Sequence, residues 1–310
     1  MVQLRTLSGL PDASVAFGTM QFGGRADEAA SRAMYADCRA AGIRQFDTAW
    51  VYTDGASETL LGACVAQERA DILIASKVAY TGGATRANIL SQFDTSRRRL
   101  RQDVIDLLYL HRFDPKVDLC ESIEALAGLQ ESGSIRYIGL SNFAAWQVMK
   151  AQAVAEGLGT RIDAIQPMYN LVKRQAEVEL LPMCQDQDIA VFSYSPLGGG
   201  LLTGKYRKGG QGRLTEDSRY AARYASDWMH QTAEALAELA KAQGVDPATL
   251  AVAWAAHHPC RPAPIISARD TQQLAPSLAA MSFEMDQDLY DALSALSPTP
   301  PPATDRIEEG

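Results

Sequence analysis

Histidine is scarce in this chain: 310 residues hold four, and none belongs to an HxH or HExxH pattern. A histidine-rich metal centre is therefore not expected. The five cysteines (Cys38, Cys64, Cys120, Cys184 and Cys260) are odd in number, far apart and never CxxC. That spacing excludes a disulfide framework and a zinc site, and indicates free thiols in a reducing, cytoplasmic compartment. No apolar run reaches the roughly 18 residues of a membrane-spanning helix. The first residues lack the basic start and apolar stretch of a secretory leader, so neither membrane nor export is expected. Positive charge is also short: 29 Lys and Arg against 37 Asp and Glu leave a net charge of −8. Nucleic acid and anionic membranes are poor partners for such a chain. Missing too is a GxGxxG near the first strand, where Gly18, Gly23 and Gly24 have the wrong spacing.

What is present is alternation. Hydrophobic residues make up 47% of the chain, and short apolar runs trade places with amphipathic segments from end to end. A hairpin is predicted within 3–17, turning at Ser8–Asp12. Strands are predicted at 15–18, 43–46, 72–76, 104–110, 135–140, 162–166, 189–194 and 264–267. Helices are predicted at 27–41, from Ser57, and at 85–100, 119–131, 143–156, 176–187, 227–243, 247–258, 270–280 and 286–296. Residues 196–224 are rich in Gly and basic residues and read as a long irregular loop, which in a compact domain is often functional. The Pro-rich tail from Pro298 also reads as irregular. Arg97-Arg98-Arg99 fits a solvated helix face better than a phosphate patch. Eight strand–helix units with near-continuous apolar strands predict an α/β protein: a single-domain (β/α)8 TIM barrel over 1–310 with an N-terminal hairpin.

Such barrels carry their active sites where the strands end. Here those ends hold Gly18-Thr19-Met20, Asp47 with Tyr52 in the following loop, Lys77, His111, Ser141-Asn142, Gln166, Tyr194-Ser195 and Ser267. One polar residue at a strand end is ordinarily a cap, a salt-bridge member or a rim packing residue. Eight polar rims together point to a site. Asp47, Tyr52, Lys77 and His111 are the parts of a proton-transfer device. A reaction that leaves an alkoxide at such a site needs a proton. Tyr52 suits the general acid, and a nearby Lys77 ammonium favours its phenolate and lowers its pKa from about 10. Asp47 keeps Lys77 charged and aimed, and His111 orients the substrate oxygen.

The order and spacing of Asp47–Tyr52, Gly55–Glu58, Lys77, Leu110-His111, Gly139–Phe143, Gln166–Asn170, Tyr194–Leu197 and Gly200–Lys205 resemble the aldo-keto reductase superfamily along essentially the whole chain. The long insertion after the seventh strand makes it more similar to bacterial and potassium-channel β-subunit-like branches than to the mammalian aldose reductases. The resemblance implies NAD(P)H-dependent reduction of an aldehyde, ketone or sugar, or the reverse oxidation. It implies that Ser141, Asn142 and Gln166 hold the nicotinamide carboxamide. Asp47 and the Gly18-Thr19-Met20 turn would lie by the ribose, and Tyr194 would stack on the nicotinamide ring. Ser195, Leu197, Gly199 and Leu201 would cradle the pyrophosphate, with Lys205 adding charge to a loop that closes over the cofactor like a strap. Ser267 begins a segment in which Arg269 meets the 2′-phosphate and Gln273 and Ser277 meet the adenine. Ser267 replaces the usual glycine and Ser277 the common asparagine. Arg269 favours NADP(H), with NAD(H) possible.

For the small carbonyl or alcohol substrate, Trp50, Tyr52, His111, Phe22 and Phe113 are expected at the pocket, with Met20, Tyr80, Phe143, Tyr224 and Trp228 near the rim. Arg112, Arg219 and Arg223 suit either polar substrates or surface ion pairs. The alternative function is a nucleotide-binding regulatory subunit with slow or vestigial chemistry. Neither the substrate nor the oligomeric state is readable from the sequence.

Overall fold

Eight parallel strands close a barrel in the order β1-β2-β3-β4-β5-β6-β7-β8 in the computed structural model, which describes residues 3–306 and 308. The strands are β1 Ala16–Gly18, β2 Gln45–Asp47, β3 Leu73–Val78, β4 Ile105–Leu110, β5 Ile135–Ser141, β6 Ala164–Gln166, β7 Ala190–Tyr194 and β8 Ala263–Ile266. Helices α1 Glu28–Ala40, α2 Ala56–Val65, α3 Arg86–Leu100, α4 Leu119–Glu131, α5 Ala145–Gly157 and α6 Leu180–Asp186 follow β1 to β6. α7 Arg213–Glu216, α8 Ser218–Arg223, α9 Asp227–Ala242 and α10 Pro247–His257 lie between β7 and β8, and α11 Thr271–Ala279 and α12 Gln287–Ser294 end the fold. The predicted barrel is borne out.

Side-chain parity divides the core in two. Along a strand, successive side chains point to opposite faces. Leu73 and Ala75 of β3, Leu107 and Tyr109 of β4, and Ala190 and Phe192 of β7 fill the barrel interior. Ile74, Val78, Leu108, Leu110 and Val191 pack outward under the helices. The floor is stoppered by the N-terminal turn. Arg5 bridges Pro11 in antiparallel fashion, and Leu4 is wholly buried with the interior set. The predicted hairpin is thus reduced to a single bridge.

The same parity places the chemistry. Two residues above each interior side chain, the top inward position of each strand falls in turn to Gly18, Asp47, Lys77, His111, Ser141, Gln166, Tyr194 and Ser267. Parity therefore aims these positions at one rim.

Helix starts follow local capping. Asp27 accepts from Ala30 N at 2.8 Å, Asp246 from Ala248 N at 2.8 Å and Asp270 from Gln273 N at 2.7 Å, each such cap stabilising its helix by about 1 kcal/mol. α6 starts later than predicted, at Leu180 after a 3-10 turn over Gln175–Glu177. Glu177 is drawn to Tyr169 Oη at 2.7 Å and Arg174 at 2.9 Å, which tightens that turn. Residues 196–224 are not irregular as expected. They form 3-10 turns over Gly198–Thr203 and Lys205–Lys208 and then α7 and α8. Left-handed Gly204 and Gly209 (φ 73° and 71°) stop the pieces before a periodic pattern can develop.

Candidate active site

Asp47 ends β2 and Lys77 stands one residue before the end of β3, and their side chains form an ion pair between Lys77 Nζ and Asp47 Oδ1. The ammonium also donates to Thr48 O at 2.8 Å and to Tyr52 Oη at 3.2 Å. Its three protons are thereby matched by three acceptors. Gln166 Nε2 donates to Asp47 Oδ2 at 2.8 Å from the far side of the barrel. The imidazole of His111 meets the Tyr52 ring edge-on, with centroids 5.9 Å apart. Asp47, Tyr52, Lys77 and His111 are therefore brought together as the sequence predicted.

Burial and charge set the protonation states. Burial acts against the Lys77 ammonium, but Asp47 and Tyr52 more than offset it and Lys77 is held above its ordinary value. Burial pushes the Asp47 carboxyl up, while Lys77 and Gln166 draw it back. The Tyr52 phenol is raised by burial, drawn partly down by Lys77 and pushed up again by Asp47. The net direction is upward, contrary to the expected lowering by Lys77, because removal from water outweighs the ammonium. Tyr52 is thus kept protonated. Burial, then Lys77, then Arg112 lower His111 to about 3, so its imidazole is neutral.

The loop that carries Tyr52 is strained and tied down. Thr53 and Asp54 have φ of 46° and 52°, costing about 1–3 kcal/mol each. Thr53 Oγ1 donates to Phe22 O at 2.8 Å. Ser57 Oγ donates to Thr19 O at 2.8 Å and lies 2.9 Å from Thr48 Oγ1. Glu58, fully buried, accepts from Ser76 Oγ at 2.7 Å and pairs with Arg99 at 3.2 Å. Ser57 and Glu58 are struts beneath the loop that carries Tyr52. Arg99 is the exception in its run. Arg97 and Arg98 pair with Asp94 on the solvated face, at 2.7 and 2.6 Å, whereas Arg99 turns inward.

Asn142 has φ of 58° and donates from Nδ2 to His111 O at 2.9 Å and to Ser141 Oγ at 3.0 Å. Tyr194 donates to Asn142 Oδ1 at 2.7 Å. Ser141, Asn142, Gln166 and Tyr194 thus form one linked arc beside the tetrad. Ser195 is left-handed (φ 59°) and its carbonyl accepts from Asn170 Nδ2 at 2.8 Å. Gly198, Gly199 and Gly200 follow with φ of 56°, 68° and 94°. Of this turn's amides, Gly198 N and Gly200 N already bond to Ser195 O and Leu197 O, each at 2.9 Å. Glu216 gathers Arg25 at 2.6 Å and Arg269 at 3.5 Å, and Lys205 is lowered by burial and then by Arg269. Ser267 Oγ is buried without a partner. An orphaned hydroxyl and a cationic group beside a glycine turn fit an anionic dinucleotide.

Some expected contacts need correction. Phe22 is wholly buried against Phe17, at 5.7 Å between rings, and offers no surface to a substrate. Ser277 is 1% exposed inside the α11 packing and offers none to an adenine. Thr19 is buried, with Oγ1 donating to Asp47 O at 3.0 Å. Leu201 is also buried. These two can contribute only backbone to a ligand. Gln273 Oε1 accepts from Arg269 N at 2.9 Å and so fixes the arginine segment. Trp50 has its ring 5.5 Å from the Arg99 guanidinium and its carbonyl on Arg99 Nη1 at 2.8 Å, which commits one face of the ring. Of the rim residues, Tyr224 and Phe143 are core members. Phe113 stacks edge-on against Phe143 and Trp146, at 5.5 and 5.9 Å. Sequence reasoning gave Tyr80 no role beyond the rim. Its ring lies 4.8 Å from the His111 ring, and its place three residues beyond Lys77 was the available signal.

Comparison with known proteins agrees with this geometry. The family model described as "Aldo/keto reductase family" matches residues 14–298. The chain is 33% identical to "Uncharacterized oxidoreductase YrpG" of Bacillus subtilis (strain 168), over 94% of each chain. It is 33% identical to "Aflatoxin B1 aldehyde reductase member 2" of Rattus norvegicus over 82% of this chain and 75% of that one. It is 31% identical to "Probable voltage-gated potassium channel subunit beta" of Arabidopsis thaliana over 88% and 89%.

Proposed function

This chain belongs to the aldo/keto reductase family, and we propose that it reduces the carbonyl of a small aldehyde, ketone or sugar to an alcohol with NADP(H), the same groups serving the reverse oxidation. The observation that carries this reading is the Lys77 ammonium, bonded at once to Asp47 and to the Tyr52 hydroxyl at the barrel mouth. Reduced nicotinamide, when bound, would supply a hydride, two electrons with one hydrogen nucleus, to the carbonyl carbon. Tyr52 then breaks its O–H bond and gives that proton to the carbonyl oxygen. Lys77 stabilises the phenolate left behind, and Asp47 keeps Lys77 charged. Neutral His111 donates an imidazole N–H to the substrate oxygen and orients it. In oxidation Tyr52 phenolate takes the alcohol proton.

On the cofactor side, Ser141, Asn142 and Gln166 would hold the carboxamide and Tyr194 would cover one nicotinamide face. The turn at Gly198–Gly200 with Lys205 would take the pyrophosphate. Arg269 would meet the 2′-phosphate, which supports NADP(H) over NAD(H). The barrel works as one catalytic unit, and its five cysteines without a disulfide fit a cytoplasmic setting.

Steady-state NADPH oxidation with a panel of aldehydes, ketones and sugars tests the reading. Tyr52→Phe is expected to lower kcat by roughly 10²–10⁴-fold while NADPH still quenches tryptophan fluorescence at unchanged affinity. Undiminished turnover in that variant would remove Tyr52 from its role. Cofactor binding without turnover on the whole panel would favour a regulatory subunit, the kind of protein that the Arabidopsis relative's name describes. Arg269→Ala is expected to weaken NADPH more than NADH, and equal weakening would refute the cofactor preference.

A further inference from the structure

Three arginines stand near the mouth, and the structure separates them. Arg219 is locked to Asp217 by contacts of 3.1 and 2.8 Å. Arg223 also makes no hydrogen bond or ion pair among the described residues and lies over the Tyr220 ring at 5.1 Å, but it stands on the strap beside Tyr194 and Tyr224 rather than beside His111. Arg112 directly follows the catalytic His111. Its guanidinium sits 4.8 Å over the Tyr80 ring, which in turn lies 4.8 Å from the His111 ring. Among the described residues Arg112 makes no hydrogen bond and no ion pair. The nearest acid in sequence, Asp114, has its carboxylate occupied by the backbone N–H groups of Ala84 and Lys116 at 3.0 and 2.9 Å. Stacking on an aromatic face fixes a guanidinium while leaving its five N–H donors open.

From this we infer that the carbonyl substrate carries an oxyanion, carboxylate or phosphate, at the end remote from the carbonyl, and that Arg112 stacked on Tyr80 receives it. The inference rests on the reductase reading above and adds the substrate's charge. A ring-to-ring step and a cation-to-ring step, each 4.8 Å, lead from His111 through Tyr80 to the guanidinium, a reach of the order that a benzene ring or a short carbon chain spans between carbonyl and anion. A planar fork of donors suits both oxyanions. Arg112 also bears on the reacting position electrostatically, since it is among the charges that hold His111 neutral. It is not part of the cationic group that fits the cofactor. That group, Arg25, Lys205 and Arg269, lies on the loops after β1, β7 and β8, and β4 is four strands from β8 in the closed order. Asp114 feels the Arg112 charge but forms no ion pair with it, so the guanidinium keeps its donors open on a chain of net charge −8.

The test is a ratio of kcat/KM values measured with NADPH. 4-Formylbenzoate and 4-formylphenyl phosphate are each compared with the neutral, similarly shaped 4-formylbenzamide. The native chain is expected to favour at least one anion by roughly tenfold, mainly through KM, as a charge-assisted pair allows. Which anion is favoured tells carboxylate from phosphate. The preference should shrink as salt rises. In Arg112→Gln the ratio should fall to about one, and in Arg112→Glu it should invert. Each ratio is taken within one variant, so a general loss of active protein does not affect it. Reduction of the neutral aldehyde with no preference for either anion would overturn this inference alone. A preference that survives in Arg112→Gln would overturn it too. No turnover of any of the three would overturn it together with the reductase reading.

Discussion

Gln166 and Asp47 are joined across the barrel: Gln166 Nε2 lies 2.8 Å from Asp47 Oδ2, while the other carboxylate oxygen holds Lys77. Asp47 therefore cannot swing about its side chain, and the ammonium that depends on it is fixed toward Tyr52. The position of Lys77 against the Tyr52 hydroxyl is set from two walls of the barrel rather than from the loop that carries Tyr52.

Asp47→Asn tests that dependence. Burial alone would lower Lys77, and Asp47 is the largest of the influences that raise it. Without the carboxylate charge, Lys77 loses its proton at lower pH. The kcat/KM profile should then fall on its alkaline side earlier than in the native chain. Asp47→Ala, which also removes the hydrogen bonds, should cost about 3–5 kcal/mol of stability by leaving a buried cation unpaired. Urea denaturation of both variants, with pH profiles of Asp47→Asn, checks the pair. An unmoved alkaline limb would mean that Asp47 does not govern Lys77.

The barrel was legible because apolar runs and strand ends recur along the chain, and parity within a strand is fixed by geometry. Once Leu73 and Ala75 face inward, Lys77 must do so as well. What the sequence does not reveal is which polar groups consume one another. Ser57 and Glu58 look like part of a reactive motif, yet their oxygens are taken by Thr19, Thr48, Ser76 and Arg99. Phe22 looks like a pocket wall because it follows a strand end, but the chain folds back and buries it against Phe17. The rise of the Tyr52 pKa was hidden for a similar reason. Sequence names the charges near a phenol but not how much water is excluded from it.

Ser57→Ala should show that the strut has a mechanical effect. Its hydroxyl joins the turns after β1 and β2 through Thr19 O and Thr48 Oγ1. Removing it leaves a buried carbonyl with one partner fewer, costing about 1–3 kcal/mol. The loop after β2 loses its tie to the Thr19 turn at the same time, while Thr53 keeps its bonds to Phe22 O and Ser57 N. The expected outcome is a lower midpoint in thermal unfolding and a kcat reduced with little change in the shape of the pH profile. A changed profile with full stability would instead place Ser57 in the chemistry.

Acid stability should carry a signature of His111. Its folded value of about 3 lies below the ordinary 6.5, so unfolding takes up a proton between those two pH values. The contribution of this group to stability therefore falls as pH drops below about 6.5. Asp12 and Asp163, each raised to about 6 from 3.8, act oppositely, because burial favours their neutral form in the folded chain. A difference measurement removes them. The unfolding free energy of the native chain minus that of His111→Asn should decline with falling pH by up to about 1.4 kcal/mol per unit. A flat difference would show that the imidazole is not held neutral by the fold.

The strap is pinned by one carboxylate. Glu216 at the end of α7 reaches Arg25 at 2.6 Å and Arg269 at 3.5 Å, linking the segment after β7 to the loops after β1 and β8. Both partners are about a third or more exposed, so each pair contributes little, on the order of 0–1 kcal/mol. Their effect is best seen in a rate. Glu216→Gln keeps the side-chain shape and removes the charge that draws both arginines. Bound NADPH should leave roughly two- to fivefold faster, as a loss of that size in a closed state implies. Stopped-flow displacement by excess NADP+ measures this directly. Raised ionic strength should narrow the gap between native and variant chains. An identical dissociation rate at low salt would show that Glu216 does not pin the strap and that its other contacts, Leu201 and Leu202 in the core and Arg207 on Glu238, provide the hold.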